Sequence, residues 1–361
     1  MYTDPTTIRP AARTRRAGTL ALAITMAFIS FTTIAVAAEP TPNSPDEPIA
    51  KVFSGRKATE FLDQVSASWT SQRKCGTCHT NINYMLARPA LGAATPAMTD
   101  VRAFFENRVA HWEDKEGDAK PRWDAEVVTT AVALAFNDAT TTGRLHPRTQ
   151  QALDKMWTLQ RPDGAWDWLK CGWPPYEHDD YYGATFAALG VGCAPENYQE
   201  TKPALEGLTK LRRYFRETPA PSLHHRAMLL WASQKVEGLM TPSDREVTIR
   251  ELLDRQRPDG GWNLASLGDW KRMDGKANPK DAPSDGFGTG FVVYVLRQSG
   301  MTADSPRIQR GVSWLRANQR VSGRWFTRSL NNDKAHYITH AGTGFAVMAL
   351  KACDAIDERG E

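Results

Sequence analysis

The residues best equipped for chemistry are Cys75-Gly-Thr-Cys78-His79. Two thiols separated by two residues and followed by an imidazole have the spacing at which a c-type haem is attached. The sulfurs form thioethers and the histidine binds iron axially. Met85, Met98 and His111 are the candidates for a sixth iron ligand. Two other readings use the same residues. In an oxidising compartment Cys75 and Cys78 would pair as a disulfide, and so short a loop would leave that bond strained and readily reduced. Zinc would take Cys75, Cys78 and His79 as three ligands and need a distant fourth. Of the 5 cysteines, Cys171 and Cys193 flank one turn and helix and form a second candidate disulfide. Cys353 is left over and reads as a small buried apolar residue.

A second cluster is acidic. Glu177-His178-Asp179-Asp180 stands just before an apolar stretch that begins near Ala184. Asp179 and Asp180 would cap a helix there, because a carboxylate accepts the free N–H groups of a first turn. Two adjacent acids with a glutamate and a histidine exceed what a cap needs, so Glu177, Asp179 and Asp180 are candidate catalytic residues. His224, Asp285 and His340 stand in the same position before other apolar stretches. Inner helices whose N-termini converge at one mouth would gather all these groups into a polar ring above an apolar funnel. The plainer reading of His224, His225, His336 and His340 is that of cap-region residues lining a polar rim.

These groups need a scaffold, and the chain begins with a segment that is not part of it. Arg13, Arg15 and Arg16 precede an apolar run that ends in Ala35-Val36-Ala37. That is the pattern of a signal peptide over residues 1–38, with an uncleaved membrane anchor as the alternative. Residues 39–55 are rich in proline and acid and read as a disordered spacer. Of the formal net charge of +4, residues 1–38 carry +3, leaving +1 for the rest. Charge therefore points to no nucleic-acid partner. The expectation is an exported protein, periplasmic or extracellular, of one large domain over 56–355 with a short tail at 356–361.

Inside that domain one motif recurs: Gln160-Arg-Pro-Asp-Gly-Ala-Trp166, Gln256-Arg-Pro-Asp-Gly-Gly-Trp262 and Gln319-Arg-Val-Ser-Gly-Arg-Trp325. Pro-Asp-Gly is turn chemistry, and a fixed motif at wide spacing marks a repeat architecture. Between the copies the chain alternates candidate outer helices, beginning near Ala58, Met98, Pro147, Lys202, Pro242 and Asp304, with apolar, small-residue inner helices. The inner set runs near Tyr84–Leu91, Val127–Phe136, Ala184–Val191, Leu223–Ala232, Thr289–Leu296 and Thr343–Leu350. No stretch sustains a period of two, so the reading is all-α: six helical hairpins closed into an (α/α)6 toroid. Trp69-Thr-Ser-Gln72-Arg-Lys parallels Trp157-Thr-Leu-Gln160-Arg-Pro, so the Cys-x-x-Cys-His motif replaces one copy of the turn.

The repeated Gln…Gly-x-Trp turns resemble the QW repeats of squalene-hopene cyclases and their relatives, including protein prenyltransferase β subunits. The resemblance implies the toroid and a central cavity for an isoprenoid or another apolar ligand. Class II cyclases carry Asp-x-Asp-Asp-Thr-Ala where an inner helix starts, and the middle aspartate protonates an alkene or epoxide. Glu177-His-Asp179-Asp180-Tyr-Tyr matches that place, which makes Asp179 the implied proton donor and Glu177 and Asp180 its partners. Clustered carboxylates suit the role, because one stays protonated beside charged neighbours. Prenyltransferases hold zinc with an aspartate, a cysteine two residues on and a distant histidine. The matching place here is Asp285-Gly-Phe287, where phenylalanine replaces the thiolate, so no zinc site is implied. Three functions stay open: a cyclase-like enzyme or binder of an apolar small molecule, a redox protein carrying one c-type haem, and an exported scaffold that binds other proteins.

Overall fold

The computed structural model describes residues 41–92, 94–113, 120 and 122–356. The targeting segment expected over 1–38 lies outside them. Among the described residues there are twelve α-helices and no strand. They are α1 (Gly55–Arg73), α2 (Asn81–Ala87), α3 (Pro96–Ala110), α4 (Arg122–Thr141), α5 (Pro147–Thr158), α6 (Asp180–Cys193), α7 (Lys202–Glu217), α8 (Leu223–Ala232), α9 (Pro242–Asp254), α10 (Gly286–Gln298), α11 (Pro306–Ala317) and α12 (Ile338–Ala352).

Odd and even helices differ for reasons visible in their side chains. The odd set starts with proline in the first turn in α3, α5, α7, α9 and α11, where the missing N–H costs nothing. Each odd helix buries one stripe. In α7 it is Ala204, Leu208, Leu211 and Phe215, the three-to-four spacing of an amphipathic helix. The even set is apolar all round: Tyr181 through Val191 of α6 and Gly286 through Leu296 of α10 are buried without a break. Helices of that kind need neighbours on every side. Accordingly α2 packs on α4, α4 on α6, α6 on α8, α8 on α10, α10 on α12, and α12 back on α2. The six inner helices close a ring, with the odd helices outside it. Glycine permits close contact between α10 and α12, where a Cβ on Gly290 would stand 2.4 Å from the Ala346 nitrogen.

The three Gln…Trp turns join neighbouring outer helices by one repeated set of bonds. Trp166, Trp262 and Trp325 are fully buried, and each indole N–H donates to the carbonyl ten residues earlier, on Met156, Leu252 and Leu315. Gln160 donates to the carbonyls of Gly164 and Gly207, Gln256 to those of Gly260 and Arg307, and Gln319 to those of Gly323 and Ser54. The second partner is always on, or caps, the next outer helix. Gly164, Gly260 and Gly323 take φ of 105°, 92° and 97°, a region that side chains disfavour.

Residues 41–53, within the stretch expected to be a disordered spacer, are instead fastened to the ring. Glu47 pairs with the buried Arg324 at 2.5 Å, Ile49 bridges Arg320, and the Ala50 N–H donates to Gln319. Sequence composition missed this strap because its polar residues find their partners far along the chain. The loop at 264–283 departs from the hairpin repeat and is also well anchored. Buried Arg272 bonds Asp274, Asp333 and the Ser329 carbonyl, which stitches this loop to the one before α12.

Candidate functional site

The Cys75–Thr80 loop follows α1, whose C-cap Lys74 turns the chain at φ 52°. Asn81 staples the loop by accepting the Thr77 N–H at 2.8 Å and donating to the Cys75 carbonyl at 3.0 Å. An exposed loop was expected, but Cys78 is buried. Its thiol is pushed far above the ordinary range, by burial first and then by the charge of Glu177. It lines a crevice at the ring centre with Asn83, Tyr176, Tyr182, Trp231 and Phe345, whose volume is about 10 Å³. That is room for about one water molecule. All five cysteines are free thiols, so neither expected disulfide, Cys75 with Cys78 or Cys171 with Cys193, is formed. Cys171 is exposed, Cys193 is partly buried and Cys353 is buried.

The hydrogen on His79 can be placed by following a chain of bonds. Arg324 only donates, so the Asn43 side-chain oxygen faces it at 2.7 Å and the Asn43 nitrogen faces His340 Nε2 at 3.1 Å. His340 thus accepts at Nε2 and carries its hydrogen on Nδ1, 2.9 Å from Thr80 Oγ1. The buried Thr80 hydroxyl then gives its own hydrogen to His79 Nδ1 at 2.7 Å. His79 is left with its N–H at Nε2. Burial lowers its pKa to about 4, so the ring is neutral at pH 7. It lies edge-on to Trp69 (4.9 Å) and stacked on Tyr337 (5.5 Å). An iron-binding histidine needs a lone pair on the nitrogen facing the metal and a hydrogen on the other. A haem also needs a cavity of several hundred Å³ at the thioether sulfurs. The crevice at Cys78 is far smaller than that, so the loop in this arrangement has no room for a covalent haem. Zinc fares no better: no group of three His, Cys, Asp or Glu side chains among the described residues is placed to hold a metal ion.

The acid cluster is also placed differently from the expectation. Asp179 is the N-cap of α6. One oxygen accepts the Tyr182 N–H at 2.9 Å and the other lies 2.9 Å from His225 Nε2. Burial raises its pKa, but the His225 contact and the cap bond outweigh this, and the net shift is downward. That shift favours the ionised form, the opposite of what a proton donor needs, so it lends no support to the role that the resemblance implies. Asp180 is paired with Arg161 at 2.9 Å and Lys170 at 3.1 Å. Glu177 is raised, chiefly by burial, against the lowering influence of a bond to Cys171 and of Arg122.

Among the described residues, the ring centre holds only the small crevice at Cys78 for these acids to open onto. Phe287, Phe291 and Phe345 meet there in edge-to-face and tilted contacts with centroids 5.0 to 5.7 Å apart. His224 is enclosed among Phe291, Phe287, Trp270 and Tyr182, and burial drives its pKa well down.

A roomier pocket lies on the rim. It holds about 440 Å³ between the 264–283 loop, the start of α10 and the loop after α11. Ala282, Pro279, Trp314, Phe326 and Leu330 supply its apolar wall, and Asp285 stands at its edge. Asp285 caps α10, accepting the Gly288 N–H at 2.7 Å and the Leu264 N–H at 2.8 Å. Even so, burial raises its pKa to about 6. The sequence placed Asp285 in the expected polar ring before an inner helix and at the matching place of a lost zinc site, not beside a rim pocket. The signal that could have found the pocket was the insertion itself, the one clear break in the repeat.

No family model matches this chain and no curated protein matches it. Among solved structures it is similar to an ent-copalyl diphosphate synthase from Streptomyces platensis, at 15% identity and a TM-score of 0.31, over 82% of this chain and 50% of that one. It is also similar to a polysaccharide lyase, at 10% identity and a TM-score of 0.28, over 84% of this chain and 90% of that one. The chain spans about half the length of the synthase. At these levels neither likeness says what this chain does.

Proposed function

We propose that this chain binds a small molecule with an apolar body, such as an isoprenoid alcohol, in the rim pocket beside α10. The observation that carries the reading is that pocket: 440 Å³, mostly apolar, with a few convergent polar groups, and walled by the loop that breaks the repeat. The Arg272 bonds keep that loop in place without a ligand, so little ordering would be lost on binding. Export remains the expectation drawn from residues 1–38, and with it an extracytoplasmic ligand.

The test is a titration of the full chain with farnesol, followed by the fluorescence of Trp314 in the pocket wall. The wild type should saturate, and Ala282→Trp, which plugs the pocket, should abolish the change at an unaltered melting temperature. Equal binding by the plugged variant would overturn the reading. A second reading adds acid chemistry, with Asp285 as the donor in place of Asp179. It is favoured by the Asp285 pKa near 6 and by its position at the pocket. Turnover of any ligand found should then fall as pH rises through 6, and Asp285→Asn should remove turnover while retaining binding.

A further inference from the structure

A second cavity, of about 280 Å³, lies on the other side of the strap, between α1 and the start of α12. Trp69 and Tyr337 meet edge to face at 5.0 Å and form an aromatic corner in its wall. Arg73 and Lys334 also line it, and no carboxylate does. The Arg73 guanidinium lies over the Trp69 ring, 5.6 Å from its centroid. Among the described residues neither cation has an ion-pair partner within 4.0 Å; this differs from Arg161, Arg272 and Arg324, which are all paired.

The remaining polar groups narrow the choice of ligand. His340 lines the cavity, but both its nitrogens are committed, to Asn43 and Thr80. Trp69 Nε1 is buried with no hydrogen-bond partner. Nε1 of Trp112, Trp157 and Trp231 is in the same condition, so this nitrogen does not bear on the ligand. The uncommitted charged groups around this cavity, a guanidinium and an ammonium, are both donors. They call for an acceptor that carries negative charge, while the aromatic corner calls for a flat body.

We infer that this cavity is a ligand site for a small aromatic carboxylate. The flat body would pack against Trp69 and Tyr337, and the carboxylate would sit between Arg73 and Lys334, where a planar guanidinium bonds a carboxylate best. The site is independent of the rim pocket and of any reading placed on it. Strap residues Thr41, Pro42 and Asn43 supply one wall, so the strap would be part of the binding surface.

Titration of the full chain with 2-naphthoate, read by its fluorescence and by calorimetry, tests this. Arg73 and Lys334 are exposed, so Arg73→Glu and Lys334→Glu should fold as the wild type does. The wild type should bind one equivalent saturably, and each charge reversal should weaken binding roughly tenfold. The uncharged 2-naphthol and inorganic phosphate should each bind at least tenfold more weakly, because each offers half of the recognition. Four results would overturn the assignment: no saturation, reversal variants that bind like the wild type, phosphate that binds as well as naphthoate, or loss of naphthoate binding in Ala282→Trp, which would move the site to the rim pocket.

Discussion

Asp179 shows how a residue can be found by its type and still be misread. Its sequence position matched a proton donor, but its two oxygens are occupied by a backbone N–H and by His225. A sequence does not reveal which helix of the ring will bring a histidine to an acid 46 positions earlier. The bonds imply different costs for two substitutions. Asp179→Asn keeps a cap and should lose little. Asp179→Ala removes the cap and leaves His225 unpaired, which should cost about 1 kcal/mol for the cap and a further 1–3 for the orphaned donor, as measured by urea unfolding. Equal losses would mean that neither oxygen contributes. The thiol motif was legible as a motif but its burial was not, because spacing says nothing of which way a loop faces. If the Cys75 loop is as described, the protein made in a haem-attaching host should be colourless, with the intact mass of the bare polypeptide. A Soret band that survives acid–acetone extraction would refute this.

Three histidines of the ring give stability a direction with pH. His79, His224 and His340 all titrate lower in the folded chain than in the unfolded one, each chiefly because of burial. Below the unfolded value of about 6.5 the unfolded chain therefore holds more protons, and stability should fall steadily as pH drops towards 4. Asp285 acts in the opposite sense. Its folded pKa is raised, so its contribution is greatest at low pH and is lost as pH rises through about 6. Glu177 and Asp124 are raised as Asp285 is, while His336 joins the lowered histidines, and four histidines against three carboxylates leave the histidine trend ahead. Replacing His79 with Gln should flatten the slope between pH 6.5 and 4 by up to about 1.4 kcal/mol per pH unit. An unchanged slope would show that His79 is charged in the fold.

At the scale of the element, the turns were the most legible part of the chain. Pro-Asp-Gly fixed their shape, and the shared Gln and Trp predicted that they would be equivalent. The partners of the glutamines could not be read, because each lies on another hairpin. Two glycines with the same kind of backbone separate the effect of conformation from that of packing. Gly143 has φ 66° and open space around it, while Gly323 has φ 97° and a Cβ there would stand 2.1 Å from the Lys57 carbonyl. Gly143→Ala should cost about 1–2 kcal/mol, the penalty for a left-handed residue. Gly323→Ala should cost clearly more, because α1 must also move. Thermal unfolding compares the two, and equal shifts would mean that α1 is not held against the turn.

For the whole molecule, the number of hairpins was legible and the filled centre was not. Small residues on the inner helices suggested a lumen. In the ring they let the helices approach until Phe287, Phe291 and Phe345 meet, and Tyr176 from the loop before α6 adds to the plug. The strap was invisible for a related reason. Glu47 gains its importance from partners far along the chain, above all Arg324, 277 residues away and buried. Glu47→Gln would leave that guanidinium charge uncompensated and should destabilise the chain by about 3–5 kcal/mol, more than any exposed pair such as Arg56 with Glu60, for which under 1 is expected. Chemical denaturation of the two single variants measures the difference.

Because α12 packs on α2 and Gln319 bonds Ser54, the ring is sealed by its earliest and latest segments. A chain that emerges from its N-terminus cannot finish its first hairpin until nearly all of it has been made. Until then the apolar side of α2 that will meet α12 has no cover, and closure must bring together residues separated by most of the sequence. Such long-range closure is slow and leaves sticky surface waiting. Time, more than stability, is then the hazard this architecture poses, and a rearranged chain whose new ends fall between α6 and α7, with the old ends linked, should close the present seam early and aggregate less while refolding.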